Sequence, residues 1–266
     1  MEHATPGILL LLFLFIGPVL FYIRYASKKN EIYIRRIPGI DAIDEGIGRS
    51  VELGRPLSFT SGLTGVSPLL YACLGVLRHI AQKAAIYKTR LYIPSSDPEA
   101  LAIVDATLQG AYRSVNKSSQ YDPSSIRYLS DSQFAFAAGY QGLIHRENVG
   151  GAFLFGRFAA ESLILAEAGQ QIEAVQVAAT ISPEQVPFFI TTCDFTLIGE
   201  ELFAAGAYLS RDPVQTGSLR GQDIAKLVIV VLIVLGIAQA TYFSAMGIDT
   251  DNFFTEIFSR SWTGSK

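Results

Sequence analysis

Two long apolar runs lie near the ends of the chain. Residues 7–25 carry no charge before Arg24, and residues 227–246 carry none at all. A helix advances about 1.5 Å per residue, so each run has about the length that crosses the hydrocarbon region of a bilayer. The pattern predicts two membrane-spanning helices, one over each run.

Basic residues flank both runs on the side of the intervening chain. Arg24 and Lys28 lie at the end of the first run, and Arg220 and Lys226 precede the second. Because lysine and arginine stay on the cytoplasmic side of a membrane, we expect a cytoplasmic central segment and two exterior termini. The first residues, MEHATP, contain Glu2 and no basic residue, which disfavours a cleaved signal peptide.

Between the two apolar runs, short β-like segments alternate with segments of helical spacing. Each β-like segment is followed by a helix-start signal, such as a serine, an aspartate or a Pro-Glu pair. Alternation of this kind predicts βαβ units, and hence an α/β domain with a mostly parallel, Rossmann-like layered sheet. The predicted strands cover residues 57–61, 90–94, 126–129, 152–155, 173–180 and 195–198.

These patterns divide the chain into three parts. Residues 1–36 form an N-terminal membrane anchor with a basic juxtamembrane segment, and residues 37–223 form a cytoplasmic α/β domain. Residues 224–266 form the second membrane helix and a short exterior tail. Within that helix Gly236 and Ala240 are one turn apart, and such small residues let another helix pack closely.

Composition and charge exclude several classes of protein. Half of the 266 residues are hydrophobic, 17% are charged and the formal net charge is −3, a balance that does not suit a nucleic-acid-binding protein. No C-x-x-C motif and no His/Cys cluster has the spacing of a metal site. Cys73 and Cys193 would lie in a reducing compartment, where we expect no disulfide.

Polar turn residues follow the predicted strands and are the candidates for a binding site. In an open parallel sheet these turns lie at the carboxyl edge, where ligands bind and where helix N-termini offer amides to anions. A small anionic ligand, such as a nucleotide, would therefore bind there. The candidate contacts are Ser61, Gly62, Thr64, Gly65, Ser96, Asp97, Gly156, Arg157, Ser182 and Glu200.

Helix capping explains several of the same residues without a ligand. Serine or aspartate at an N-cap, as at Ser96, Asp97 and Ser182, accepts hydrogen bonds from free helix amides. Arg157 and Glu161, four residues apart, have the spacing of an intrahelical ion pair. A Walker loop and a nucleophile elbow are absent from the sequence. We therefore assign no catalytic residue, metal ligand or cofactor, and the balance of these patterns is against an enzyme.

Three segments resemble a known family. They are residues 134–148, residues 153–169 and, above all, residues 188–223, which read FFITTCDFTLIGEELFAAGAYLSRDPVQTGSLRGQD and run directly into the second span. The chain from about Ile37 to that span resembles an uncharacterised bacterial membrane-protein family, the domain of unknown function numbered 6754. The resemblance implies a domain anchored in the bacterial inner membrane, and it carries over no activity, catalytic residue or cofactor.

Two hypotheses of function follow. The first is a membrane-anchored scaffold or assembly subunit, whose partners are the lipid bilayer and either further copies of itself or another protein of a membrane complex. The second is a membrane-tethered sensor or enzyme that binds a small anionic ligand at the carboxyl edge of the sheet. The lack of a catalytic motif in the sequence favours the first, since a fold does not itself confer a function.

Overall fold

A computed structural model describes residues 6–28, 38–210 and 212–246 of the chain. The chain divides into two compact units, Met1–Ile34 with Arg211–Lys266, and Arg35–Ser210. The predicted exterior tail and most of the predicted basic juxtamembrane segment lie outside the described residues.

The larger unit contains a parallel sheet, six-stranded in the described part of the chain. Its strand order is β3-β2-β1-β4-β5-β6, and every neighbouring pair is parallel. The predicted α/β class is therefore confirmed. The order changes direction between β1 and β4, which is the switch point of a doubly wound sheet. The strands are β1 (Leu57–Gly62), β2 (Leu91–Ser95), β3 (Ile126–Tyr128), β4 (Gly151–Arg157), β5 (Val175–Thr180) and β6 (Phe195–Ile198).

Helices cover both faces of this sheet. Two short 3₁₀ turns, Ser118–Gln120 and Pro123–Ser125, precede β3. The helices of the domain are α2 (Pro38–Glu52), α3 (Pro68–Tyr87), α4 (Pro98–Ser114), α5 (Gln133–Glu147), α6 (Glu161–Gln171), α7 (Val186–Thr192) and α8 (Glu200–Ser210), and those of the smaller unit are α1 (Pro6–Ser27) and α9 (Pro213–Met246).

The core consists of two apolar layers, one on each face of the sheet. Helices α2, α3, α4 and α8 pack against one face, and α5, α6 and α7 pack against the other. Along β4 the side chains alternate between the layers, so that Phe153 and Phe155 enter the first and Leu154 enters the second. Because both faces are covered, the middle of β4, residues 152–155, reads in the sequence as a continuous apolar run.

Helices α3 and α8 approach each other closely in the first layer. A Cβ atom on Gly75 would lie only 2.7 Å from the carbonyl oxygen of Gly206, and one on Gly206 would collide with the carbonyl of Ala72. Both glycines are needed because only hydrogen at Cα lets the two backbones meet. This contact brings the last helix of the domain back to the first layer, next to α3.

The smaller unit consists of the two apolar helices. By length and composition, Ile8–Ser27 and Pro213–Met246 could each span a membrane. They run antiparallel, since Gly217 lies against the backbone of Ile23 and Gly221 lies against that of Val19, at 2.7 and 2.5 Å from a built Cβ atom. The close approach thus lies in the first, more polar part of α9, ahead of residues 227–246.

Candidate functional site

The end of β1 is joined to β2 by side-chain hydrogen bonds. The register between β1 and β4 shifts between Thr60 and Gly62, and Gly62 takes the left-handed conformation, with φ at 60°. The Thr60 hydroxyl donates to the carbonyl of Pro94 at 2.9 Å and accepts from the Gly62 N–H at 3.2 Å. The turn after β1 therefore starts from a fixed backbone.

Thr64 connects the turn after β1 with the end of β4. Its buried hydroxyl donates to the carbonyl of Ser61 at 2.6 Å and accepts from the backbone N–H of Arg157 at 2.7 Å. Gly156 allows this approach, because a Cβ atom there would collide with the carbonyl oxygen of Ser61. Hydrogen bonds of Thr64 therefore connect the turn after β1 with the end of β4 at the switch point.

Ser96 and Asp97 close the neighbouring turn, after β2. The Ser96 hydroxyl is buried and donates to the carbonyl of Gly62 at 2.7 Å. Asp97 is the N-cap of α4, where its carboxylate accepts from the N–H of Glu99 at 2.9 Å. A Cβ atom on Gly65 would lie 3.3 Å from the Asp97 carboxylate, so these residues are close neighbours. The capping role predicted for Asp97 is confirmed. The same prediction is wrong for Ser96, which precedes this N-cap, and for Ser182, since the N-cap of α7 is Gln185.

Ser182 and Glu200 lie in the turns after β5 and β6. Thr180 joins these turns, since its hydroxyl accepts from the Ser182 N–H at 3.1 Å and its carbonyl accepts from the Gly199 N–H at 2.9 Å. In the sheet, Thr180 pairs with Gly156. All ten predicted site residues thus lie at the carboxyl edge, as the parallel topology requires.

Three backbone N–H groups at the switch point donate hydrogen bonds within the fold. The N–H of Gly62 donates to Thr60, the N–H of Thr64 donates to Ser61 at 3.2 Å, and the N–H of Arg157 donates to Thr64. An anion site at a strand-to-helix turn needs amides of this kind free to donate to the ligand. Here the turn residues themselves accept those hydrogen bonds.

The charge of the carboxyl edge is negative. Among the described residues that end a strand or begin the following helix, Arg157 is the one basic side chain. Acidic residues are favoured there because they oppose the positive ends of the helix dipoles, but together they also repel an anionic ligand. The acidic residues are Asp97, Glu99, Asp131, Glu161, Glu184, Glu200 and Glu201.

Glu161 has a role that the sequence interpretation missed. Arg157 ends β4 and is not helical, so the predicted intrahelical pair with Glu161 is wrong. The Glu161 carboxylate is fully buried, where it accepts from the backbone N–H of Ala159 at 3.0 Å and from the side-chain amide of Gln133 at 2.6 Å. It therefore fastens the start of α6 to α5. The position of Glu161 in the first turn of a predicted helix was the feature of the sequence that could have indicated this role.

The opposite edge of the sheet, where the strands begin, contains a polar cavity. Its volume is about 520 Å³, and the charged residues lining it are Lys88, Arg90, Asp122, Arg127 and Glu147. Lys88, Arg90 and Asp122 come from the connections before β2 and β3, Arg127 lies in β3, and Glu147 ends α5, the helix before β4. The parallel topology therefore brings them to one edge. The sequence interpretation looked for ligands at the carboxyl edge and did not identify this group.

Tyr92, Arg127 and Glu147 form an ordered cluster in the wall of this cavity. The Tyr92 hydroxyl donates to Glu147 Oε2 at 2.8 Å, and the Arg127 guanidinium lies 4.9 Å from the centre of the Tyr92 ring and 3.4 Å from Glu147 Oε1. The hydrogen bond from Tyr92 and the charge of Arg127 lower the pKa of Glu147. Hydrogen bonds from Ser124 similarly lower the pKa of Asp122.

A family model described as "Domain of unknown function (DUF6754)" matches residues 2–250. The chain belongs to the DUF6754 family. The match includes the first apolar helix. It therefore begins well before residue 37, where the resemblance in the sequence was expected to begin. No curated protein and no solved structure shows significant similarity to the chain.

Metal-binding side chains and the two thiols of this DUF6754 protein bear on its chemistry. Within residues 6–28, 38–210 and 212–246, no group of three or more His, Cys, Asp or Glu residues could hold a metal ion. Burial raises the pKa of the Cys73 thiol, and it raises that of Cys193 to about 12. Neither thiol is therefore a nucleophile at neutral pH, because the reactive species is the thiolate.

Proposed function

We propose that this DUF6754 protein is a membrane-anchored scaffold or assembly subunit whose α/β domain binds another protein or a further copy of the chain. One observation carries the proposal: the turns at the switch point bond to one another, through Thr64, Ser61 and Arg157. This fold usually binds a ligand at that place, and here the backbone N–H groups of Gly62, Thr64 and Arg157 donate to groups of the protein instead. We therefore infer that the surface of the domain binds another protein or a further copy of the chain.

The surface of the second layer supports this proposal. Phe188 and Ile190 on α7 are 40% and 57% exposed, and Leu163 on the adjacent helix α6 is 39% exposed. Exposed apolar side chains that lie together indicate a protein-binding surface more often than isolated ones do. We therefore infer that the partner binds the surface formed by Leu163, Phe188 and Ile190, which we name the α6–α7 surface.

The anchoring part of the proposal rests on the two apolar helices. We propose that α1 and α9 cross the inner membrane of a bacterium, that the α/β domain is cytoplasmic and that both termini are exterior. The basic residues Arg24, Lys28, Arg220 and Lys226 support this orientation, because they lie on the domain side of residues 7–23 and 227–246. Labelling of single introduced cysteines with a membrane-impermeant reagent would test it, and labelling of the domain from outside intact cells would overturn it.

Native mass spectrometry of the full chain in a mild detergent tests the interaction role. We expect an oligomer, or a complex with a co-purified partner, that Ile190→Glu weakens by placing a charge in the α6–α7 surface. Ile86→Glu is the matched control, because Ile86 is 51% exposed on α3 in the other layer. A protein that is monomeric and free of partners at all concentrations would contradict the proposal.

The alternative function, a sensor or enzyme with an anionic ligand at the carboxyl edge, stays a prediction. Arg157 is the residue that favours it, since its side chain is exposed at the end of β4. Thermal unfolding of the full chain with nucleotides would test it. Stabilisation that Arg157→Gln abolishes would support this alternative over the scaffold.

A further inference from the structure

We propose that the cavity at the amino-terminal edge of the sheet binds a small soluble anion, a metabolite that carries a phosphate or carboxylate group together with a hydroxyl or amine. The cavity has a volume of about 520 Å³. That value lies within the usual range of small-molecule sites, about 300–1,000 Å³. This site is distinct from the carboxyl edge and from the α6–α7 surface.

Three cationic side chains meet at this cavity because β2 and β3 are parallel neighbours. Lys88 and Arg90 immediately precede β2, while Arg127 lies in β3, where it pairs with Pro94 of β2. Lys88 caps the end of α3 in the left-handed conformation, with φ at 57°, and its backbone N–H donates to the carbonyl of Ala84. The chain reversal between α3 and β2 therefore places both cations in the cavity wall.

Arg127 is oriented by its neighbours and keeps donors for a ligand. Its guanidinium stacks on Tyr92, Nη1 donates to Glu147 at 3.4 Å, and Nε donates to the carbonyl of Ser124 at 3.4 Å. Among the described residues, Nη2 has no hydrogen-bond partner. A guanidinium held in this way is preorganised for an anion, since its orientation is fixed before binding.

The carboxylates that also line the cavity are already engaged. Glu147 accepts from Tyr92 and Arg127, and Asp122 accepts from the backbone N–H and the hydroxyl of Ser124 at 2.9 and 2.7 Å. In contrast, neither Lys88 nor Arg90 has a described carboxylate within 4.0 Å. The charge of Arg90 also acts on Asp122, but the three cations outnumber the two carboxylates, so the charged residues that line the cavity sum to a net charge of +1. The carboxyl edge of the sheet, in contrast, is acidic.

Gln120 indicates that the ligand also carries a hydrogen-bond donor. This residue lines the cavity, and its side-chain oxygen is buried without a hydrogen-bond partner. A buried acceptor in that state costs free energy unless a donor reaches it. A hydroxyl or amine of the ligand would satisfy it while the anionic group contacts Lys88, Arg90 and Arg127.

Isothermal titration calorimetry of the full chain, in a non-ionic detergent without phosphate headgroups, tests the site. The probes are inorganic phosphate, pyrophosphate and citrate, each titrated at constant ionic strength set with chloride. We expect saturable binding of at least one probe, and Lys88→Gln or Arg90→Gln should weaken it about tenfold or more, because each removes a charge-assisted contact. Arg78→Gln, at an exposed position on α3, is the matched control and should leave the affinity unchanged.

A variant that binds the probe more tightly distinguishes an effect on the binding site from an effect on folding. Asp122→Asn keeps an acceptor for Ser124 but removes a negative charge from the cavity, so we expect the same probe to bind several-fold more tightly. Destabilisation of the fold would not produce this result. The proposal is overturned if none of the three probes binds, if Arg78→Gln weakens binding as much as Arg90→Gln does, or if Asp122→Asn fails to tighten it.

Discussion

The backbone N–H of Arg157 donates a hydrogen bond to the hydroxyl of Thr64, at 2.7 Å, across the switch point of the sheet. The same hydroxyl donates to the carbonyl of Ser61, so a single side chain connects β1 with β4. In a doubly wound sheet this is the place where a ligand usually enters. In this protein, the hydrogen bonds of Thr64 connect the two strands at that place.

Replacement of that threonine tests how much the closure stabilises the domain. Thr64→Val keeps the shape of the side chain but leaves the N–H of Arg157 and the carbonyl of Ser61 without their partner. We expect the free energy of unfolding to fall by about 1–3 kcal/mol, measured by urea denaturation of the full chain in detergent. Thr191→Val, at an exposed position on α7, is the control, and an equal loss in both variants would contradict the role of Thr64.

Substitution by alanine should have opposite effects at Gly206, in the contact between α3 and α8, and at Gly110, which lies outside that contact. Gly206→Ala places a methyl group against the carbonyl of Ala72, so we expect a loss of at least about 1–3 kcal/mol, as in other overpacked cores. Gly110→Ala, on α4, meets no atom within 4 Å and should instead stabilise the protein by about 0.5–1 kcal/mol through helix propensity. Thermal unfolding of both variants checks the contrast, and stabilisation by Gly206→Ala would disprove the close contact.

The parallel sheet was predictable, because β-like segments alternate with helical segments along the chain, and this alternation indicates βαβ units. The segment FLF, residues 153–155, is one of these β-like segments, and its alternate side chains lie in different layers. The strand order was not predictable from the alternation, since a βαβ connection does not determine which strands become neighbours. The cavity at the amino edge was missed for the same reason. Lys88, Arg127 and Glu147 are distant in sequence, and only the order of the strands brings them together.

The close approach of the two helices in the smaller unit lies at glycines that the sequence interpretation did not select. That interpretation selected Gly236 and Ala240 as a pair of small residues one turn apart, and packing of another helix at that pair stays a prediction. The structure places the close approach at Gly217 and Gly221, beside the charged residue Arg220. Backbone proximity depends on the absence of side-chain volume, whereas the apolar run reports only which part of a helix prefers lipid.

Substitution of Gly221 tests this helix pair. Gly221→Leu would force a branched side chain into the backbone of Val19, so we expect α1 and α9 to separate and the thermal unfolding temperature of the full chain in detergent to fall by several degrees. Gln222→Leu is the matched control, since the neighbouring position is exposed and accepts the same side chain. If both variants unfold at the same temperature, the close approach at Gly221 does not hold α1 and α9 together.

The cluster of Tyr92, Arg127 and Glu147 predicts a loss of stability in acid. Because the pKa of Glu147 is lowered in the folded state, its contribution is present above the ordinary carboxyl range, about 4 to 5, and is lost as the pH falls through the folded pKa. Glu147→Gln should therefore lower stability at pH 7 and flatten its fall below about pH 5. Urea denaturation across this range measures the effect against Glu167→Gln, an exposed position on α6, and parallel pH profiles for that control and Glu147→Gln would refute the prediction.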